Sequence, residues 1–453
     1  MPHGRQELDR RTFLTAMAGI GAGGLVRAQE TPADVTLTIA ETEIEIAPRK
    51  RIKTTAYNGS FPGPLLRFPE GRPVTVEVVN ETAIPEVAHW HGLFIPPEVD
   101  GSMEEGTPPV PPHGRRRYRF VPRPAGLRWY HSHIFAGRDL HRGTYTAQAG
   151  FLEITGGPRF GIADQEVFLA LHGWDPYLAP MGAAGGDSSL EAAYGLFSVN
   201  GFSLGSGEPV RVKEGQRTLL HILNASATMI HRLALSGHKF RVVALDGFAV
   251  ATPREVSILE IAPGERIEAL VDMEQPGVWV LGEIDDHRRK DGMGVVVEYA
   301  NRTGPAQWTP PEPESWDYTA FGGQGCVSAP DERVPLVFRA KWAGNRWVDH
   351  WTINGKEFPK TDPILVRNGG LYRLIFDNQS DDAHPVHLHR HAFELVKVEG
   401  KPMCGVRKDV VVVQPRKQVE VQLRADNPGA SLFHCHMQLH MDHGFMTLLE
   451  YKD

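Results

Sequence analysis

Three stretches of the chain share one punctuation. Asn58-Gly59, Asn200-Gly201 and Asn354-Gly355 each begin 13 to 15 residues before a second glycine: Gly71, Gly215 and Gly369. Nine residues past each of those stands an asparagine: Asn80, Asn224 and Asn378. The intervening residues are strand-like in every copy (Val74-Thr75-Val76, Thr218-Leu219-Leu220, Tyr372-Arg373-Leu374). Further on, a Pro-x-Gly or Pro-Gly ends at Gly126, Gly277 and Gly429. The copies are offset by 144 and 154 residues. Such a period predicts a repeated domain.

Each copy alternates as a half-buried strand does, at 36–46, 74–79, 256–261 and 419–423. No long segment has a helical period. The 47 glycines and 35 prolines suit a turn-rich all-β chain. The expected architecture is three consecutive β-sandwich or barrel domains with Greek-key connections, over 29–156, 157–300 and 334–453. Residues 301–333, rich in Pro and Gly, form a long connector expected to wrap over a surface.

Composition removes other classes. With 41% hydrophobic and 23% charged residues, the 453-residue chain has material for several cores. A net charge of −7 disfavours wrapping nucleic acid. Three cysteines exclude a disulfide scaffold. No apolar run reaches the roughly 18 residues a membrane helix needs. At the N-terminus, Asp9-Arg10-Arg11-Thr12-Phe13-Leu14 opens a short Ala/Gly-rich apolar stretch, and Val26-Arg27-Ala28 offers a cleavage point. Residues 1–28 resemble a twin-arginine export signal, which implies a periplasmic or secreted protein.

The histidines obey the repeat. With 21 histidines, roughly one His-x-His pair is expected by chance. Five occur: His89/His91, His131/His133, His387/His389, His389/His391 and His434/His436. Asn80 and Asn378 each precede a pair by nine residues, and Gly126 and Gly429 each precede one by five. The second copy has Leu233-Ala234-Leu235 and Gly282-Glu283-Ile284 there instead. Residues i and i+2 of a strand share a face. Four pairs therefore aim eight imidazoles, too many for one ion, at a cluster between domains 1 and 3. Imidazole suits copper, zinc, iron or nickel.

Cys435 lies between His434 and His436, so its side chain points the other way. A thiolate with two imidazoles is the donor set of a blue-copper electron-transfer site. His384 and His440 supply the imidazoles. Domain 1 has Glu86, Ser132 and Gly137 at the equivalent positions and cannot build this site.

His-Trp-His-Gly (89–92), His-Ser-His (131–133), His-Pro-Val-His-Leu-His (384–389) and His-Cys-His-x3-His-x3-Gly (434–444) resemble the four copper signatures of three-domain, laccase-like multicopper oxidases with cupredoxin folds. The resemblance spans the mature chain and implies four copper ions. His384, Cys435 and His440 match the type 1 ligands. His89 and His387 match the type 2 ligands. His91, His131, His133, His389, His434 and His436 match the type 3 ligands. The implied reaction takes single electrons at the type 1 copper and reduces dioxygen to water at the trinuclear cluster, with Cys435, His434 and His436 as the electron path. Asp100, nine residues after His91, matches an acidic residue that delivers protons; the alternative is a solvated loop carboxylate in the Pro-rich stretch 96–112.

Three positions depart from the pattern. Phe445, ten residues after Cys435, stands where many bacterial relatives have an axial Met. Phe cannot ligate, and losing a thioether should raise the copper potential. A one-residue slip would offer Met446 instead. Met441 stands where some bacterial relatives carry a Glu that aids proton delivery, leaving Asp442 as a substitute or the role absent. Arg390 replaces a common Gly, and His391 is then a non-ligating imidazole. Cys326 and Cys404 can pair after export or stand free; spacing does not decide.

Two reductant classes follow, small aromatics and Cu(I). The axial Phe favours phenols or aromatic amines. A Cu(I) oxidase often carries a Met-rich insertion, and the 11 methionines here form no such run. A copper electron carrier without oxidase activity would have lost ligands, and none is lost. The four pairs and the ligand-free middle domain also disfavour a two-domain nitrite reductase. Neither oligomeric state nor pocket-lining residues are legible.

Overall fold

A computed structural model describes residues 32–157, 163–181, 189–323, 328–344 and 347–452. The export-signal reading of 1–28 and Cys326 lie outside these. Residues Asp34–Asp453 form one compact unit. Six β-sheets lie in three successive pairs along the chain. Strands adjacent in space come from distant stretches, as Greek-key connections require. In the first pair, Val35–Ala47 runs parallel to Val74–Asn80, and Ala88–His91 lies at the edge of the facing sheet beside Gly126–Ser132. The third pair repeats this: Glu332–Lys341 runs parallel to Leu371–Asn378, and His384–Leu388 pairs with Ser431–Cys435. The described helices are of three to five residues. None is long and apolar enough to cross a membrane.

The repeat has a physical basis in each copy. Both residues of Asn58-Gly59, Asn200-Gly201 and Asn354-Gly355 have positive φ, as a tight type I′ hairpin turn requires. Each turn asparagine accepts a bond from the opposite strand: Asn58 from Thr38 N at 2.7 Å, Asn200 from Ala170 N and Asn354 from Val337 N at 2.8 Å. The second asparagine is a buried bracket. Asn80 donates to the Ile84, Val110 and Pro111 carbonyls. Asn378 donates to those of Asp382, Val413 and Gln414. Asn224 donates to Met229 O and Ile261 O, both at 2.8 Å, and accepts from Ser226 N at 2.9 Å. Asn224→Ala orphans these buried groups and should lower unfolding stability by about 3 kcal/mol in urea denaturation. A loss below about 1 kcal/mol would contradict the bracket.

Two expectations need correction. The stretch 256–261 is not one strand. Phe248–Val256 pairs with Phe240–Leu245 in one sheet and Leu259–Ile261 with His231–Leu235 in the other, so the chain crosses between sheets at Ser257-Ile258. The connector is also more than a surface wrap. Tyr318 and Phe321 are buried in the core shared by the second and third sheet pairs, because their rings fill the junction there.

Candidate metal centres

Strand pairing assembles the first site. His89 lies opposite His131, and His387 opposite His434. The rings from the two ends of the chain interleave: His89 stacks on His389 at 3.9 Å and His91 on His387 at 3.8 Å. All eight imidazoles are buried. Six are fixed through one nitrogen, His91 by its Nε2 at 3.1 Å from Asp409 Oδ1. His89, His131, His387 and His434 donate from Nδ1 to the carbonyls of Asp100, Ser132, Asp409 and Cys435 at 2.7–2.9 Å. His389 Nδ1 meets Asp100 Oδ2 at 2.9 Å. Nε2 of His89, His131, His133, His387 and His436, and Nδ1 of His91, have no hydrogen-bond partner. His389 Nε2 and His434 Nε2 face each other at 3.1 Å.

Buried polar atoms are rarely left bare. Anchoring one ring nitrogen while the other stays bare is how proteins orient imidazoles toward metal. Burial, reinforced by neighbouring imidazoles, holds His91, His131, His133, His387, His389 and His434 well below the ordinary histidine pKa. Burial brings His436 down to about 3. These rings are neutral, the ligating form.

On the other face of the same strand, Cys435 Sγ lies 3.7 Å from His384 Nδ1 and 3.6 Å from His440 Nδ1, and those nitrogens are 3.1 Å apart. Three donors around one ion at about 2.0–2.3 Å stand about 3.5 Å apart, so the set fits a single metal. Ser380 Oγ contacts His384 Nε2 at 2.8 Å, and Glu191 Oε1 lies 3.4 Å from His440 Nε2. Burial lowers the His440 pKa, but Glu191 and Cys435 outweigh it and hold the ring up to about 10. The Cys435 carbonyl accepts from His434 Nδ1 at 2.8 Å, so the two donor sets are joined by one residue and one hydrogen bond.

Asp100 ends the helix Pro97–Asp100 and is fully buried, away from solvent. Its Oδ2 lies 2.9 Å from His389 Nδ1 and 3.1 Å from His89 Nδ1. Gly101 follows with φ 98°, and a Cβ there would sit 2.0 Å from Ala88 O, so only glycine lets this helix close on the His89 strand. The Phe445 ring lies 4.8 Å from that of His384. Met446 packs with Leu432 and Met441 in a separate cluster. The Asp442 carboxylate accepts from Ala136 N, Gly137 N and Gln438 Nε2. Arg390 has φ 61°, the backbone that explains a glycine there elsewhere, and its guanidinium binds four carbonyls and Ser431 Oγ. Both nitrogens of His391 are engaged, by His389 O and Tyr451 Oη. The Cys404 thiol contacts Gly323 O at 3.3 Å.

Sequence reading missed three carboxylates that lie beside these imidazoles. Glu105 Oε1 lies 3.2 Å from His389 Nδ1 and Asp409 Oδ1 3.1 Å from His91 Nε2. Glu191 is the third. A charged pair, Lys408-Asp409, abutting the run 410–413 of four valines was the one available signal; a charge entering a buried strand needs a partner.

A buried eight-imidazole cluster, joined by one strand to a set of one cysteine and two histidines, defines a copper redox protein. Family models described as multicopper oxidase match residues 38–154, 188–304 and 330–453. Multicopper oxidase MmcO of Mycobacterium tuberculosis is 30% identical over 437 residues, covering 88% of this chain and 83% of that protein. Laccase-1 of Thanatephorus cucumeris is 24% identical, covering 97% and 93%. A multi-copper oxidase structure from Pseudomonas thermotolerans superposes with a TM-score of 0.72 at 26% identity, covering 93% of this chain and all of that one. The chain belongs to the multicopper oxidase family, whose members bind copper and couple oxidation of a reductant to oxygen.

Proposed function

We propose that this chain is a laccase-like oxidase that takes single electrons from phenols or aromatic amines and reduces dioxygen to two waters. The observation that carries it is the pair of donor sets sharing the Cys435 strand: buried imidazoles with unpartnered ring nitrogens on one face, and Cys435 Sγ within 3.7 Å of two imidazole nitrogens on the other. Bound copper would supply the one-electron steps and the oxygen chemistry. His384, Cys435 and His440 would hold the type 1 ion, His89 and His387 the type 2 ion, and His91, His131, His133, His389, His434 and His436 the type 3 pair, four ions in all. Cys435 passes electrons toward His434 and His436 along its own backbone. Asp100 holds protons beside His89 and His389. The domains are 29–156, 157–300 and 334–453, joined by 301–333, and residues 1–28 direct export to the periplasm or beyond.

Oxygen uptake by copper-loaded protein, with dimethoxyphenol and Cu(I) offered in parallel, tests the reading. Phenol-driven uptake independent of added Cu(II) is the expected result. Preference for Cu(I) would replace it with a metal oxidase. No uptake by either, with four coppers bound, would leave an electron carrier.

The Phe445 ring, 4.8 Å from that of His384, offers no donor atom to a metal held there, which would favour a high potential. Phe445→Met should lower the type 1 potential in a redox titration and slow oxidation of the phenols hardest to oxidise. An unchanged or higher potential would remove the axial argument for phenols.

A further inference from the structure

Domain 2 carries no imidazole at the repeat positions, yet it reaches the cluster. Arg266 opens its strand Arg266–Asp272 and is fully buried. Its Nη1 and Nη2 donate to Asp409 Oδ1 and Oδ2, both at 2.6 Å. The same fork donates to Gly264 O at 2.9 Å and Asp246 O at 3.1 Å, and the Arg266 backbone N donates to Asp246 Oδ1 at 3.0 Å. Asp409 is therefore gripped on both oxygens from a neighbouring domain. It in turn holds two imidazoles: Oδ1 lies 3.1 Å from His91 Nε2, and its carbonyl accepts from His387 Nδ1 at 2.7 Å. His91 has its bare nitrogen on the far side, at Nδ1. Its neighbour His387 lies parallel, within 8°.

The surroundings leave this arrangement little slack. A Cβ at Gly92, the glycine of His-Trp-His-Gly, would meet Asp409 Oδ2 at 2.7 Å and Arg266 Nη2 at 3.0 Å. A Cβ at Gly264 would meet His436 Cδ2 at 2.6 Å. Charge is balanced: Arg128, Arg266 and Lys408 face Asp246, Glu265 and Asp409, all buried, with contributors from all three domains. Well-packed apolar residues hold a junction as well as or better than buried ions do. What a bidentate arginine–carboxylate pair adds is direction.

We propose that Arg266 is a positioning residue for the trinuclear site: it clamps the Asp409 carboxylate, and Asp409 aims His91 and His387. The ligand-free domain thereby sets the angle at which imidazoles of the other two meet. This rests on reading His91 and His387 as copper ligands.

Arg266→Lys keeps the charge and loses the fork. It should keep the blue Cys435–copper band and the type 1 ion. The trinuclear ions should be lost to a chelator at least about tenfold more readily, and the type 3 pair should lose its magnetic coupling and become visible by EPR. Glu283→Gln, at the buried His231–Glu283 pair of the same domain, should lower stability without moving either signal. Should R266K not fold, the double variant R266M/D409L leaves the net charge of the cluster unchanged and must show the same selective weakening. A type 3 pair still coupled and silent by EPR, with unchanged copper retention, in either variant would overturn the proposal. Failure of the wild-type protein to bind a trinuclear cluster would overturn the underlying ligand reading, a distinguishable result.

Discussion

Cys435→Ser should abolish the blue absorption and cut turnover with any one-electron reductant by at least about a thousandfold. Cys435 is fully buried, with Sγ within 3.7 Å of both His384 Nδ1 and His440 Nδ1. Serine nearly preserves the volume but replaces a soft thiolate with a hard hydroxyl, which removes the charge-transfer band and weakens copper binding. The neighbouring ligands should survive. His434 and His436 point to the opposite face, and the Cys435 carbonyl that orients His434 is backbone. The variant should therefore hold one copper fewer per chain, with the type 2 EPR signal and type 3 coupling retained. Copper analysis with EPR separates this from general collapse. A persisting blue band, or turnover within tenfold of wild type, would sink the assignment of Cys435 as electron entry.

The legible and illegible parts of this molecule divide along one physical line. Periodicity records what a strand does by itself. The i, i+2 rule therefore placed His89 with His91 and turned Cys435 away from its flanking histidines. The Asn-Gly pairs marked turns that only positive φ allows. Residues that complete the site through packing between domains left almost no local trace. Arg266 and Asp409 meet across 143 positions, and Asp100 and His389 across 289. Asp100 was singled out by the family resemblance, at its distance from His91, whereas Glu105, in the same Pro-rich stretch, had no such marker. The break at Ser257-Ile258 is a different case, because it left a local trace: Ile258 and Leu259 are adjacent apolar residues, so the alternation changes phase where the chain passes from one sheet to the other.

Asp100→Asn should slow reoxidation of the reduced enzyme by dioxygen about a hundredfold, with anaerobic reduction of the type 1 copper unchanged. Asn matches the carboxylate in size and can still accept from His389 and His89, so ligand orientation persists. It cannot hold and release a proton, and oxygen reduction consumes four. The chain has little in reserve, because position 441 is Met441 and Asp442 is committed to Ala136 N, Gly137 N and Gln438. Glu105 keeps the loss short of complete. Its carboxyl lies 3.2 Å from the same His389 Nδ1, and burial together with the Asp100 charge pushes its pKa well above the ordinary range. Residual turnover in Asp100→Asn should vanish in the double variant with Glu105→Gln. Stopped-flow experiments that measure the two half-reactions separately decide the matter. If type 1 reduction slows as much as reoxidation, Asp100 is a brace for His89 and His389 and carries no protons.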